Sequence, residues 1–117
     1  LGPPTALKLV VPAGEKDLRT SVTDAGLAPT LKWSAPALGT PDRYLVRIVR
    51  RNNADPRNLD QEVAVIETTG TQLVIPPEVL QTKVQTYLTI RALRGSGALA
   101  PGLPQAWADA VSTIITP

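Results

Sequence analysis

Arg43-Tyr44-Leu45-Val46-Arg47-Ile48-Val49-Arg50 is the stretch from which the rest of the chain can be read. On an extended backbone, Tyr44, Val46 and Ile48 share one side and Leu45, Arg47 and Val49 the other, because successive strand side chains point to opposite faces. Its residues are mostly β-branched, aromatic or long-stemmed, a composition suited to a pleated, half-buried surface. The stretch predicts a strand with Tyr44, Val46 and Ile48 turned to a core.

The same two-residue period recurs on both sides. Downstream, Val84 to Leu93 places Val84, Thr86, Leu88, Ile90 and Ala92 on one face and Gln85, Tyr87, Thr89, Arg91 and Leu93 on the other. Upstream, Leu31 and Trp33 alternate with Lys32 in Thr30-Leu31-Lys32-Trp33-Ser34. Ala6–Val11, Gln61–Thr68, Thr71–Ile75 and Ala106–Thr116 supply further apolar runs, and Leu18–Val22 a short candidate. Gly and Pro fall between these runs, at Pro12-Ala13-Gly14, Pro36–Pro41, Thr69-Gly70, Pro76-Pro77 and through residues 94–105. Such punctuation marks turns. No helical stripe of useful length is present. Seven strands of about 5–9 residues predict an all-β, two-sheet, immunoglobulin-like sandwich, with residues 1–117 as one domain.

Composition narrows the function. The 117 residues contain no Cys, His or Met. A disulfide frame is excluded, so the apolar core must carry the fold. Ser/His/Asp, Cys/His and zinc chemistry lose residues they require. A formal net charge of +2 and four aromatic residues, two Trp and two Tyr, argue against nucleic acid, which calls for a clustered basic face or a stacking platform. No apolar stretch is long enough to cross a membrane as a helix. A chain beginning at Leu1 reads as a mature or excised piece, and its Arg, Ala, Leu, Val and Pro bias as bacterial. Asp60 with Glu62, and Glu15 with Asp17, are carboxylate pairs best read as solvated edges. Asn52-Asn53-Ala54-Asp55 lacks the ligand spacing of a calcium loop.

Several ordered features resemble a fibronectin type III domain across nearly the full length. Pro4-Thr5-Ala6-Leu7 matches its opening, Leu31-x-Trp33 with Ala35-Pro36 its second strand, and Tyr44-x-Val46-x-Ile48 its third. Thr68-Thr69-Gly70-Thr71 before Leu73-Val74-Ile75-Pro76, then Leu80 and Leu88-x-Ile90-x-Ala92, and the close at Thr113–Pro117, complete the series. The resemblance implies that the third and sixth strands are neighbours. It also implies an inward tyrosine six residues after the turn leucine. Counting from Leu80 gives Thr86, with Tyr87 one residue late. Either a bulge restores the corner, or Tyr87 points outward.

The outward set Leu45, Arg47, Tyr87, Arg91 and Trp107 is the candidate contact face, since exposed apolar residues beside arginine have the composition of an interface. The rival reading is an ordinary mixed surface in which arginine stems lie across leucine. The expected function is a non-catalytic accessory module, a spacer or protein-interaction domain of a secreted, periplasmic or cell-surface bacterial protein, with no cofactor and no metal. Its partner is then another protein or a neighbouring domain. The alternative is a carbohydrate-associated module of a glycan-active enzyme, which would need exposed aromatics in a row.

Overall fold

The computed structural model describes residues 1–51, 60–82, 84–94 and 106–117, with residues 106 and 107 described by backbone alone. Eight strands are present among the described residues: β1 (Thr5–Val11), β2 (Gly14–Asp17), β3 (Thr30–Ser34), β4 (Arg43–Arg50), β5 (Gln61–Thr68), β6 (Gln72–Val74), β7 (Thr86–Arg94) and β8 (Ala106–Val111). They form two antiparallel four-stranded sheets, ordered β2-β1-β3-β6 and β5-β4-β7-β8. The two sheets make a β-sandwich around one core. Leu9, Leu31 and Trp33 come from the first sheet, and Tyr44, Val46, Ile48, Leu88, Ile90 and Ala92 from the second.

The inward phase expected for β3 and β4 holds. Leu31, Trp33, Tyr44, Val46 and Ile48 are all buried, while Lys32 and Arg47 remain partly exposed on the outer faces. The β4–β7 register runs without interruption from Arg43 opposite Leu93 to Arg50 opposite Thr86. A slip of one residue would exchange the whole buried set for the arginine-bearing one, so the pattern itself fixes the pairing. Trp33 and Tyr44 meet edge to face across the sandwich, with ring centroids 5.3 Å apart and planes at 70°. That is a favoured aromatic arrangement.

Three expectations need correction. The expected seven strands become eight, because the additional strand is Gly14–Asp17 and not Leu18–Val22, where only Val22 makes an isolated bridge, to Ile115. Pro12-Ala13 is a hairpin turn joining β1 to β2, with Val11 opposite Gly14 at φ +126°, a conformation open mainly to glycine. Glu15-Lys16-Asp17 has no apolar alternation because it forms an edge that buries neither face. The last run, expected to continue to Thr116, leaves the sheet after Val111. Its tail crosses to the segment after β2, through hydrogen bonds from Thr113 N to Leu18 O (3.1 Å), Val22 N to Ile114 O (3.0 Å) and Thr116 N to Val22 O (2.8 Å). Val49, finally, has the outward phase expected of it but is only 9% exposed. It stands opposite Tyr87 on one side and Glu62 on the other.

Candidate functional site

The outer face of β5-β4-β7-β8 carries the predicted contact residues. Backbone pairing arranges them in rows that run across the sheet. One row is Glu67, Leu45, Arg91 and Asp109; the next is Val65, Arg47, Thr89 and Val111; a third holds Glu62, Val49 and Tyr87. Leu45, Arg47, Tyr87 and Arg91 are thus brought onto one surface. Trp107 stands opposite Leu93 in β8, and its side chain lies outside the described residues. The Asn52–Asp55 segment lies outside them too.

The two arginines do not act as a positive patch. Arg91 holds Asp109 in a two-pronged bond, Nε to Oδ1 at 2.7 Å and Nη2 to Oδ2 at 3.0 Å. Arg47 Nε sits 2.8 Å from Glu62 Oε2. That contact is ionic and not a directed hydrogen bond, because the Nε–H has no well-aligned acceptor among the described residues. Arg43 is 3.2 Å from Glu67. The hydrogen bond from Arg91 holds the Asp109 carboxyl below its ordinary range against the opposing effect of burial, and the charges of Arg91 and Arg47 add to it. Cross-strand pairs of this kind hold a register at modest gain, each worth roughly 0.2–1 kcal/mol.

Sequence reasoning missed all three carboxylate partners. Asp109 faces Arg91 directly in the β7–β8 register. Its alternation with Val111 is legible in the sequence, but not its register, because residues 95–105 separate the strands. Glu62 reaches Arg47 because β5 bulges: Ile48 pairs with Ala64 and the next residue, Val49, with Glu62, leaving Val63 unpaired. A bulge leaves one residue over and turns the next side chains of the strand to new directions.

The same geometry resolves the tyrosine. No bulge interrupts β7 against β4, so Tyr87 stays outward. Thr86 takes the buried corner position at 1% exposure, and its backbone pairs both ways with Ile115 at 2.9 and 2.7 Å. The Tyr87 hydroxyl donates to Asp60 Oδ2 at 3.4 Å. Burial raises the phenol above its ordinary range, and the neighbouring Asp60 charge adds to it. The proposed carboxylate pairs are therefore divided among different partners. Asp60 meets Tyr87, Glu62 meets Arg47, Glu15 lies 3.3 Å from Lys8, and Asp17 is 2.9 Å from Arg19.

Between the arginines lies a shallow depression of about 170 Å³, lined by Leu45, Arg47, Thr89, Arg91, Asp109 and Val111. Val65 and Val111 are its exposed apolar flanks, at 46% and 65%. A larger open cleft, about 810 Å³, lies elsewhere, at the side of the sandwich between the start of β1 and the end of β8. No group of three or more His, Cys, Asp or Glu side chains comes together to hold a metal among the described residues. No described helix is long and apolar enough to cross a membrane.

Comparison with known proteins returns no matching family model, no matching curated protein and no matching solved structure.

Proposed function

We propose that this chain is a non-catalytic accessory module of fibronectin type III kind, serving as a protein-interaction or spacer domain of a larger secreted or surface-exposed bacterial protein. The observation that carries the reading is the outer face of β5-β4-β7-β8. There Leu45, Val65 and Val111 stand exposed or half-exposed among arginines already oriented by carboxylates. A preordered arginine gives up little further side-chain freedom on binding, which lowers the cost of an interface.

Strand order supports the kind of module. With β2 set aside, β1-β3-β6 and β4-β7-β8 follow the A-B-E and C-F-G order of immunoglobulin-like sandwiches, and β5 lies beside β4. The carbohydrate reading finds less to use, since Tyr87 is the one aromatic side chain on an outer face among the described residues.

The test is a pair of variants, Tyr87→Ala and Arg47→Ala, made in the longest natural polypeptide that contains the domain. Each is expected to weaken association or inter-domain packing while changing the stability of the 117-residue chain by about 1 kcal/mol or less. Unchanged association in both variants would remove the face from the proposal.

A further inference from the structure

β4 carries three arginines, and the last differs from the other two. Arg43 and Arg47 meet Glu67 and Glu62 of β5. Arg50 stands two residues beyond Ile48, in the inward phase of Tyr44, Val46 and Ile48, and directly opposite the buried Thr86. It is half-buried and has no acidic partner among the described residues. Its Nε is enclosed without an acceptor, and its Nη2 donates to Val79 O at 3.2 Å.

Enclosing a guanidinium nitrogen without an acceptor is unfavourable. An unbranched apolar side chain such as methionine would fill much of the same space without that loss. What arginine adds at this position is reach and a charged donor, and charged donors make the stronger hydrogen bonds.

Val79 belongs to the segment that leaves β6 after Val74 in one sheet and enters β7 at Thr86 in the other. The segment is fastened near both ends. Ile75 N donates to Pro29 O at 2.9 Å, and Val84 N to Gln81 O at 3.1 Å. Between these points, residues 76–80 make no backbone–backbone hydrogen bond among the described residues. Pro76 and Pro77 have no N–H to give. Glu78 holds φ at +79°, a left-handed conformation unfavourable for a residue with a Cβ. Leu80, two residues on, nevertheless reaches the core at 2% exposure. Among the described residues, the bond from Arg50 is the one hydrogen bond that reaches this stretch.

We propose that Arg50 is the clasp of this crossing. Its guanidinium, carried at the end of β4, grips the Val79 carbonyl, keeps Glu78 in its left-handed turn and so delivers Leu80 to the core. The register supports the placement, because Arg50 faces Thr86, the residue at which the crossing ends and β7 begins. The acceptor is a neutral carbonyl. Neither acid nor salt removes such a partner, which separates Arg50 from the acid-paired arginines of the outer face. The clasp lies on the inward phase and is independent of the outer contact face.

The experiment compares the native 117-residue chain with Arg50→Met, Glu78→Gly and the double variant, by NMR and by denaturant unfolding. In the native chain, nuclear Overhauser contacts are expected from the Arg50 guanidinium protons to Val79. The Glu78 amide should also show the strong cross-peak to its own Hα that a positive φ produces. Arg50→Met should weaken that cross-peak and shift the Val79 carbonyl resonance, while the amides of Val46, Ile48, Leu88 and Ile90 keep their native shifts. Glycine adopts a positive φ at no steric cost, so Glu78→Gly should raise the folding equilibrium constant of the native chain by about threefold. In Arg50→Met, where the turn is released, that gain should fall to near zero. A side chain that only filled space would leave the two gains equal. Three results would overturn the proposal: equal gains in the two backgrounds, a Glu78 cross-peak unchanged by Arg50→Met, or no contact between Arg50 and Val79 in the native chain. The last needs no variant, so it decides the matter however well Arg50→Met folds.

Discussion

β4 and β7 present two faces built from the same two strands, and these differ in nearly every physical respect. The inner face, with Tyr44, Val46, Ile48, Leu88, Ile90 and Ala92, is closed to water and touches the opposite sheet. The outer face, one residue out of phase, holds Leu45, Arg47, Tyr87 and Arg91 at partial exposure, with each arginine paired to an acid on a neighbouring strand. The first face stabilises the fold through area removed from water. The second fixes register and contributes little to stability. Alternation therefore separates the residues that the fold needs from those that a partner could use.

The sharpest way to break this contrast is a pair of neighbouring residues. Ile90→Ala is expected to destabilise the domain by about 2–5 kcal/mol in chemical denaturation, because it empties a site at 0% exposure. Arg91→Ala, one residue on, is expected to cost about 1 kcal/mol or less. Comparable losses would mean that the outer face is structural after all.

A second substitution probes where the two faces meet. Thr86→Tyr installs the corner tyrosine that the fibronectin type III resemblance implies. The position is buried and sized for threonine. Overpacking should cost about 1–3 kcal/mol in thermal or denaturant unfolding. A neutral or stabilising result would show that the corner can house a ring, and that its absence here is a matter of sequence and not of space.

Smaller effects concern the outer face alone. A double-mutant cycle of Arg91→Ala with Asp109→Ala should return a coupling of about 0.5–1 kcal/mol, measured by equilibrium unfolding and declining in high salt. The pH dependence is set by the sign of the shift. Asp109 has a lower carboxyl pKa folded than unfolded, so its contribution is present above the unfolded value of about 4 and is lost as pH falls through the folded one. Acid titration of stability should show this loss in the native chain and a shallower one in Arg91→Ala.

Legibility in the sequence divides along the same line. The phases of β3, β4 and β7 were legible because one face of each is apolar, and a buried face fixes its own alternation. β2 was not legible, since Glu15, Lys16 and Asp17 bury no face and only Pro12-Ala13-Gly14 betrays the hairpin. Alternation alone puts Arg91 on the outer face but leaves Tyr87 open between a bulged corner and an outward position, and it does not reveal the acids that hold the arginines. Glu62 reaches Arg47 through a bulge that no pattern in Gln61–Thr68 announces. Asp109 depends on a β7–β8 register set across a long connection. Pairing between strands depends on how the chain closes, which local periodicity does not record.

The crossing of the tail has a consequence in time. The Thr113 hydroxyl bonds to Leu18 and Thr20, residues 95 and 93 positions earlier in the chain. Ile115, fully buried, pairs with both Val22 and Thr86. Contacts of such long sequence separation form slowly, because the loop must close before its bonds repay the entropy. As the chain leaves the ribosome, β4 can meet β5 and β7 in order, but the seam joining the sheets stays open until residues 113–116 have emerged. The four residues that seal the two sheets therefore follow all eight described strands out of the ribosome.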